Sequence, residues 1–193
     1  MRYWLLITLA LLAACSGNGD GAAEPAFVGT DVTEAAFGNA LALTDHHGQP
    51  RALADFRGKV VVLFFGYTHC PDVCPTTMDD LSKALKLLGQ RRSEVQVLFV
   101  TLDPERDTQQ VLAKYVPYFD DSFIGLYGDA ATTARVAADF KVFYRKQASP
   151  GGSGYTLDHS AGMYVFDKKG KIRVYLNHGQ NPQDIAHDLK VLL

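Results

Sequence analysis

Phe64-Phe65-Gly66-Tyr67-Thr68-His69-Cys70-Pro71-Asp72-Val73-Cys74-Pro75 decides the fold. The β-branched and aromatic run Val60 to Phe65 leads into it, and a helical pattern from Thr76 to Arg91 leaves it. Two cysteines therefore sit where a buried strand becomes a helix. Strand and helix are rigid and the turn between them is open, so chemistry is placed there. If the helix has begun by Cys70, the i and i+4 spacing puts both thiols on one face of its first turn, with Cβ atoms about 5–6 Å apart. The unpaired N–H groups and positive end of the helix favour thiolate over thiol. Two such sulfurs can close a disulfide between Cys70 and Cys74 or hold a soft metal ion. A purely structural disulfide across so short a loop contributes only about 2 kcal/mol on the chain-entropy model. Redox or metal chemistry is the better reading. Haem attachment needs two intervening residues and a following His; here Pro71, Asp72 and Val73 intervene and Pro75 follows.

Downstream, Leu81, Leu85 and Leu88 form one apolar helical stripe with Met78 beside it, so Met78 reads as core. Val95 to Leu102 is a second buried strand. Asp107 or Thr108 can cap a helix over Gln109–Phe119. Asp103 and Glu105 read as caps or ion-pair partners of Arg106 rather than as ligands of a hard metal. Phe123 to Tyr127 is a short strand, Ala130 to Phe140 a helix, and Val142 to Lys146 a further strand. Ser149 to Gly154 is a mobile Gly-rich loop. Tyr155 to Gly162 reads as a loop before a hairpin of Met163–Asp167 and Ile172–Leu176, and a helix over Asp184–Leu192 closes the chain.

This order predicts an α/β, thioredoxin-like fold: a central mixed sheet flanked by helices, with an N-terminal extension and an insertion. In that fold the loop before the hairpin lies against the cysteine turn. It usually carries a cis-proline in thiol oxidoreductases. Here no proline occurs between Pro150 and Pro182, and the loop offers His159 instead. Of the six histidines, His159 is thus the expected ligand. His69 follows the strand end and points away from Cys70. His46 and His47 read as a solvated turn after strand 40–44, and His178 and His187 as surface residues. Two thiolates and one imidazole suit Cu(I) or Cu(II); structural zinc wants a fourth ligand, and none is obvious.

Upstream, Arg2 precedes an apolar run, Tyr3 to Ala14, too short for the roughly 20 residues that span a bilayer. Leu12-Ala13-Ala14-Cys15 resembles the lipobox of bacterial lipoproteins. That implies a signal peptide over residues 1–14 and lipidation of Cys15; the other reading is an ordinary signal peptide cut nearby. Lipidation also accounts for the odd member of three cysteines. Residues 16–37, rich in Gly and Ala, read as a flexible tether, and 38–193 as one folded domain. At 193 residues and 47% hydrophobic content one good core can form. A net charge of −2 offers no basic patch and argues against nucleic-acid binding.

The chain resembles the Sco/SenC family of copper-binding proteins, which help assemble the dinuclear copper site of cytochrome c oxidase. The likeness runs from about Ala40 to the C-terminus. It rests on Gly66 to Pro75, on Thr101-Leu102-Asp103-Pro104-Glu105-Arg106-Asp107-Thr108 and on Asp158-His159-Ser160. The resemblance places the copper ligands on Cys70, Cys74 and His159. It implies a copper metallochaperone whose partner is the copper-site-bearing subunit of the oxidase, with thiol reductants and other copper carriers as further contacts. The expected location is the cell envelope, lipid-anchored to a bacterial membrane and facing the periplasm or outer side. Two other readings use the same residues. One is a thiol–disulfide reductase acting through redox-active Cys70 and Cys74; the other is a copper or redox sensor, for which no output domain is visible.

Overall fold

The structure is a computed structural model that describes residues 26–38, 40–148 and 154–193. The expected signal peptide, Cys15, residues 16–25 of the tether and 149–153 of the Gly-rich loop lie outside the described residues. The elements in chain order begin with β1 (Thr30–Asp31), β2 (Ala42–Asp45), β3 (Pro50–Ala52), β4 (Val60–Gly66) and α1 (Val73–Leu87). Next come β5 (Val95–Thr101), α2 (Gln109–Phe119), β6 (Ile124–Tyr127) and α3 (Ala130–Asp139). The chain continues through β7 (Tyr144–Ala148), β8 (Tyr155–His159), β9 (Met163–Phe166), β10 (Ile172–Leu176) and α4 (Pro182–Leu192).

Every residue of β4 and β5 is buried, as expected of strands apolar on both faces. β4 pairs parallel with β5 and antiparallel with β9, at the centre of a mixed sheet ordered β1-β10-β9-β4-β5-β6-β2-β3. The parallel pairs β4–β5 and β5–β6 are joined through α1 and α2, because a parallel return needs a long crossover. α1 packs on α4, and its stripe Met78, Leu81 and Leu85 is buried in the core. This is the predicted thioredoxin-like arrangement. No described helix is long and apolar enough to cross a membrane.

Three expectations change. The tether expected over 16–37 is shorter, because its last part belongs to the sheet: β1 pairs with β10. The buried Asp188 carboxylate in α4 accepts the N–H groups of Val28 and Gly29, both at 2.8 Å. A two-residue strand held by one distant carboxylate leaves no periodicity to read. The register matters for the site. Thr30 lies opposite Tyr175, Leu176 opposite Met163, and Met163 opposite Phe64. The chain therefore enters the sheet at the end where β4 delivers the cysteine turn.

Tyr155 to Gly162 is only partly a loop. Tyr155–His159 forms β8, paired antiparallel with β7 in a separate two-stranded ribbon. The third change is His46, which is buried; its Nδ1 accepts the Gly125 N–H at 2.9 Å. Burial, and then the positive charge that His47 can carry, hold its pKa below the usual imidazole value.

Candidate metal centre

The site starts at the end of β4. Gly66 has no room above it, because an added Cβ would lie 2.8 Å from the Cys74 sulfur and 2.9 Å from the Phe99 ring. Beyond it the chain turns, and Asp72 precedes α1. The helix begins at Val73, three residues earlier than its apolar pattern suggested, yet after Cys70. The two cysteines are thus not on one helical face. Cys74 is in the first turn, fully buried, and Cys70 is half-buried in the loop before it. The Cys70 sulfur accepts the Cys74 N–H at 3.4 Å, so it sits at the helix N-terminus in the place of a cap.

Both thiols are free. The Cys74 thiol facing Cys70 lowers the Cys70 pKa to about 3 against the opposing effect of burial; His159 and the Asp72 and Cys74 N–H groups also lower it. The same neighbour, and then burial, drive Cys74 upward. Cys70 is thus the more acidic of the two thiols and Cys74 the less acidic.

The turn is lashed down by Asp107, which is fully buried. Its carboxylate accepts the Thr68 N–H at 2.9 Å, the Thr68 hydroxyl at 2.6 Å and the Thr101 hydroxyl at 2.6 Å. Either Asp107 or Thr108 could cap α2 on sequence alone. Thr108 takes that place, its hydroxyl accepting the Val111 N–H, and Asp107 is freed to hold the cysteine turn.

His159 arrives from the end of β8. Its Nδ1 lies 2.9 Å from the Ser160 carbonyl, which accepts and so assigns the proton to Nδ1. Nε2 then faces the sulfurs, 3.6 Å from Cys74 Sγ. Tyr67 packs edge-on to the imidazole at 5.9 Å. The ligand atoms of Cys70, Cys74 and His159 all lie within 4.8 Å of one another. One ion with bonds of about 2.0–2.3 Å can draw such a set together. No fourth His, Cys, Asp or Glu joins them among the described residues. A mostly apolar cleft of about 300 Å³, lined by Tyr67, Cys70, Pro71, Leu157 and His159, opens onto the set.

The remaining candidates lie elsewhere. His69 is half-exposed and turned toward Thr68 and Asp107, away from the cysteines. His47, His178 and His187 are exposed, and Met78 is core. Asp103 pairs with Arg106 as expected, but Glu105 pairs with Lys146. From sequence Asp107 reads only as a cap, and Tyr67 carries no signal of a role. The dense polar run Asp103 to Thr108 was the available signal.

Comparison with known proteins points to one family. The SCO1/SenC family profile matches residues 30–193. ScoI of Bradyrhizobium japonicum, solved with copper bound, is 36% identical, with a TM-score of 0.72 over 87% of this chain and 100% of that one. Apo Sco1 of Thermus thermophilus is 37% identical, with a TM-score of 0.76 over 87% and 98%. The bovine mitochondrial SCO2 homolog is 37% identical over 155 residues, 78% of this chain and 57% of that protein. This chain thus spans little more than half the length of the vertebrate relatives it matches. On a profile match running from β1 to the last residue, and relatives of this identity, the chain belongs to the SCO1/SenC family.

Proposed function

We propose that this protein binds copper through Cys70, Cys74 and His159 and passes it to the dinuclear copper site of a cytochrome c oxidase. The observation that carries this reading is the convergence of two sulfurs and one imidazole nitrogen within 4.8 Å. Thiolate selects Cu(I), and imidazole extends the set to Cu(II). With both thiols ionised, Cu(I) leaves the site one net negative charge, which the N-terminus of α1 stabilises. Thiol ligands must lose their protons to bind metal, so affinity falls as pH falls. Copper in the solved ScoI relative supports the choice of metal. An anaerobic titration of the reduced mature chain tests it: one Cu(I) per chain is expected, and none with Cys70→Ser and Cys74→Ser together. Equal binding by the double variant would sink the proposal.

We further propose that Cys15 is acylated after removal of residues 1–14, which holds the domain at an envelope membrane. Because β1 enters the sheet at the cysteine end, an N-terminal anchor attaches on the same side as the site. That arrangement suits an acceptor at the membrane. Mass spectrometry of the mature N-terminus should find acyl chains on Cys15.

A second reading, thiol–disulfide reductase, has its own observation: an acidic, half-buried Cys70 backed by a buried Cys74 is the layout of attacking and resolving thiols. In either case oxidation to a Cys70–Cys74 disulfide should abolish tight copper binding, and reduction should restore it. Reduction of a disulfide peptide by the copper-free protein, at equal rates in wild type and His159→Ala, is the result that would favour the reductase.

A further inference from the structure

His159 is carried by a ribbon that stands apart from the main sheet. Among the described residues β7 and β8 pair only with each other, from Tyr144 opposite His159 to Ala148 opposite Tyr155. Alternation along β8 puts Tyr155, Leu157 and His159 on one face. All three meet the domain. His159 faces Cys74. Leu157 is buried. Tyr155, about 13 Å from His159 along the strand, is gripped by the loop between β5 and α2.

That grip has several parts. The Tyr155 hydroxyl donates to Asp103 at 2.6 Å. The Arg106 guanidinium lies 3.7 Å from the centre of the Tyr155 ring and donates from Nη1 to the Tyr155 carbonyl at 2.9 Å. Arg106 is itself oriented by Asp103. Lys146, from the paired strand, also sits over the ring, 4.5 Å from its centre, and bonds Glu105. At its base the ribbon is tied by Ser160 and Phe143, which exchange two hydrogen bonds. A paired ribbon is stiff, so where its far end is held decides where its ligand end points.

We infer that Tyr155 and Arg106 are positioning residues for the copper site: their stacked pair latches the β7–β8 ribbon and thereby holds the His159 imidazole over the cysteines. This rests on the copper reading above. Arg106 Nη2 is buried and has no hydrogen-bond partner among the described residues, so the grip on Tyr155 comes from Nη1 and the ring stack. Release withdraws the imidazole and leaves the two sulfurs, which changes preference between the copper oxidation states rather than the presence of copper. Arg106 also lies 5.9 Å from the centre of the Tyr67 ring, which packs on His159, so the latch reaches the imidazole both along the ribbon and through Tyr67.

The test is a pair of substitutions at Tyr155, which leave the Arg106–Asp103 pair in place. Tyr155→Phe keeps the stack and loses the hydroxyl; Tyr155→Ala loses both. Cu(II) binding should weaken about threefold in Tyr155→Phe and about tenfold or more in Tyr155→Ala. The sulfur-to-copper charge-transfer band of Tyr155→Ala should move toward that of His159→Ala, and Cu(I) affinity should stay near wild type. In the copper-free protein, amide hydrogen exchange across Tyr155–His159 should quicken about tenfold in Tyr155→Ala, with exchange in β4 and β5 unchanged. Wild-type Cu(II) affinity, spectrum and exchange in Tyr155→Ala would overturn the latch, as would a parallel fall in both copper affinities. If wild-type protein binds no copper, the copper reading fails by itself, and the exchange measurement still decides whether the latch holds the ribbon.

Discussion

Gly66→Ala is the sharpest test of how β4 supports the site. The glycine φ is not in the left-handed region, so the backbone accepts alanine and the effect is steric alone. The new methyl would lie 2.8 Å from Cys74 Sγ, 2.9 Å from Phe99 and 3.3 Å from Phe64. Optimal non-bonded separations are about 3.5–4.0 Å, so the sulfur must retreat by roughly 0.7 Å or the strand must shift. Neither yields readily, because Cys74, Phe99 and Phe64 are all fully buried and Phe99 is wedged between Phe64 and Tyr115. Overpacking of this kind costs about 1–3 kcal/mol. In a chain this size that is a fall in Tm of roughly 2–12 °C. The displaced sulfur also leaves the position that His159 and Cys70 share, so Cu(I) affinity should drop about 10–100-fold, the range for disturbed ligand support. Thermal unfolding and competitive Cu(I) titration of the reduced mature chain measure the two effects. A variant with Tm within about 1 °C of wild type and unaltered Cu(I) affinity would show that Gly66 does not seat Cys74.

Three further outcomes are expected. His159→Ala should fold normally, still close a Cys70–Cys74 disulfide, and bind Cu(II) at least about tenfold more weakly, whereas His69→Ala, facing the other way, should match wild type in a spectroscopic Cu(II) titration. Asp107→Ala strands three donors around a buried site and should lower stability in urea by about 2–4 kcal/mol; a loss below about 0.5 kcal/mol would contradict its role as the anchor of the turn. His46 has a folded-state pKa below its unfolded value near 6.5, so the unfolded chain binds more protons between the two values. Stability should therefore be full above about pH 6.5 and decline as pH falls through that window. His46→Gln, which can still accept the Gly125 N–H, should flatten the slope in urea unfolding measured from pH 7.5 to 5, and an unchanged slope would assign it to other groups.

Much of this protein is decided locally and is therefore legible in the chain. Val60 to Gly66 is apolar on both faces and could only be a central strand. The stripe Met78, Leu81 and Leu85 could only be the inner face of a helix. The order of these elements specifies the thioredoxin-like sheet, and Cys70 to Cys74 marks its reactive turn. What the tertiary structure decided depends on contacts between distant residues, which leave no periodic trace. His159 meets Cys74 across 85 positions of chain only because β8 folds back as a ribbon. Asp107 reads as a cap until Thr68, 39 positions away, takes its carboxylate. The end of the expected tether becomes an edge strand because Asp188, 160 positions on, offers a buried acceptor. His46 looks like a solvated turn residue until β6 presents the Gly125 N–H. Periodicity encodes which face of an element is buried; it does not encode which distant polar group will be waiting there, and in this protein those groups build the site.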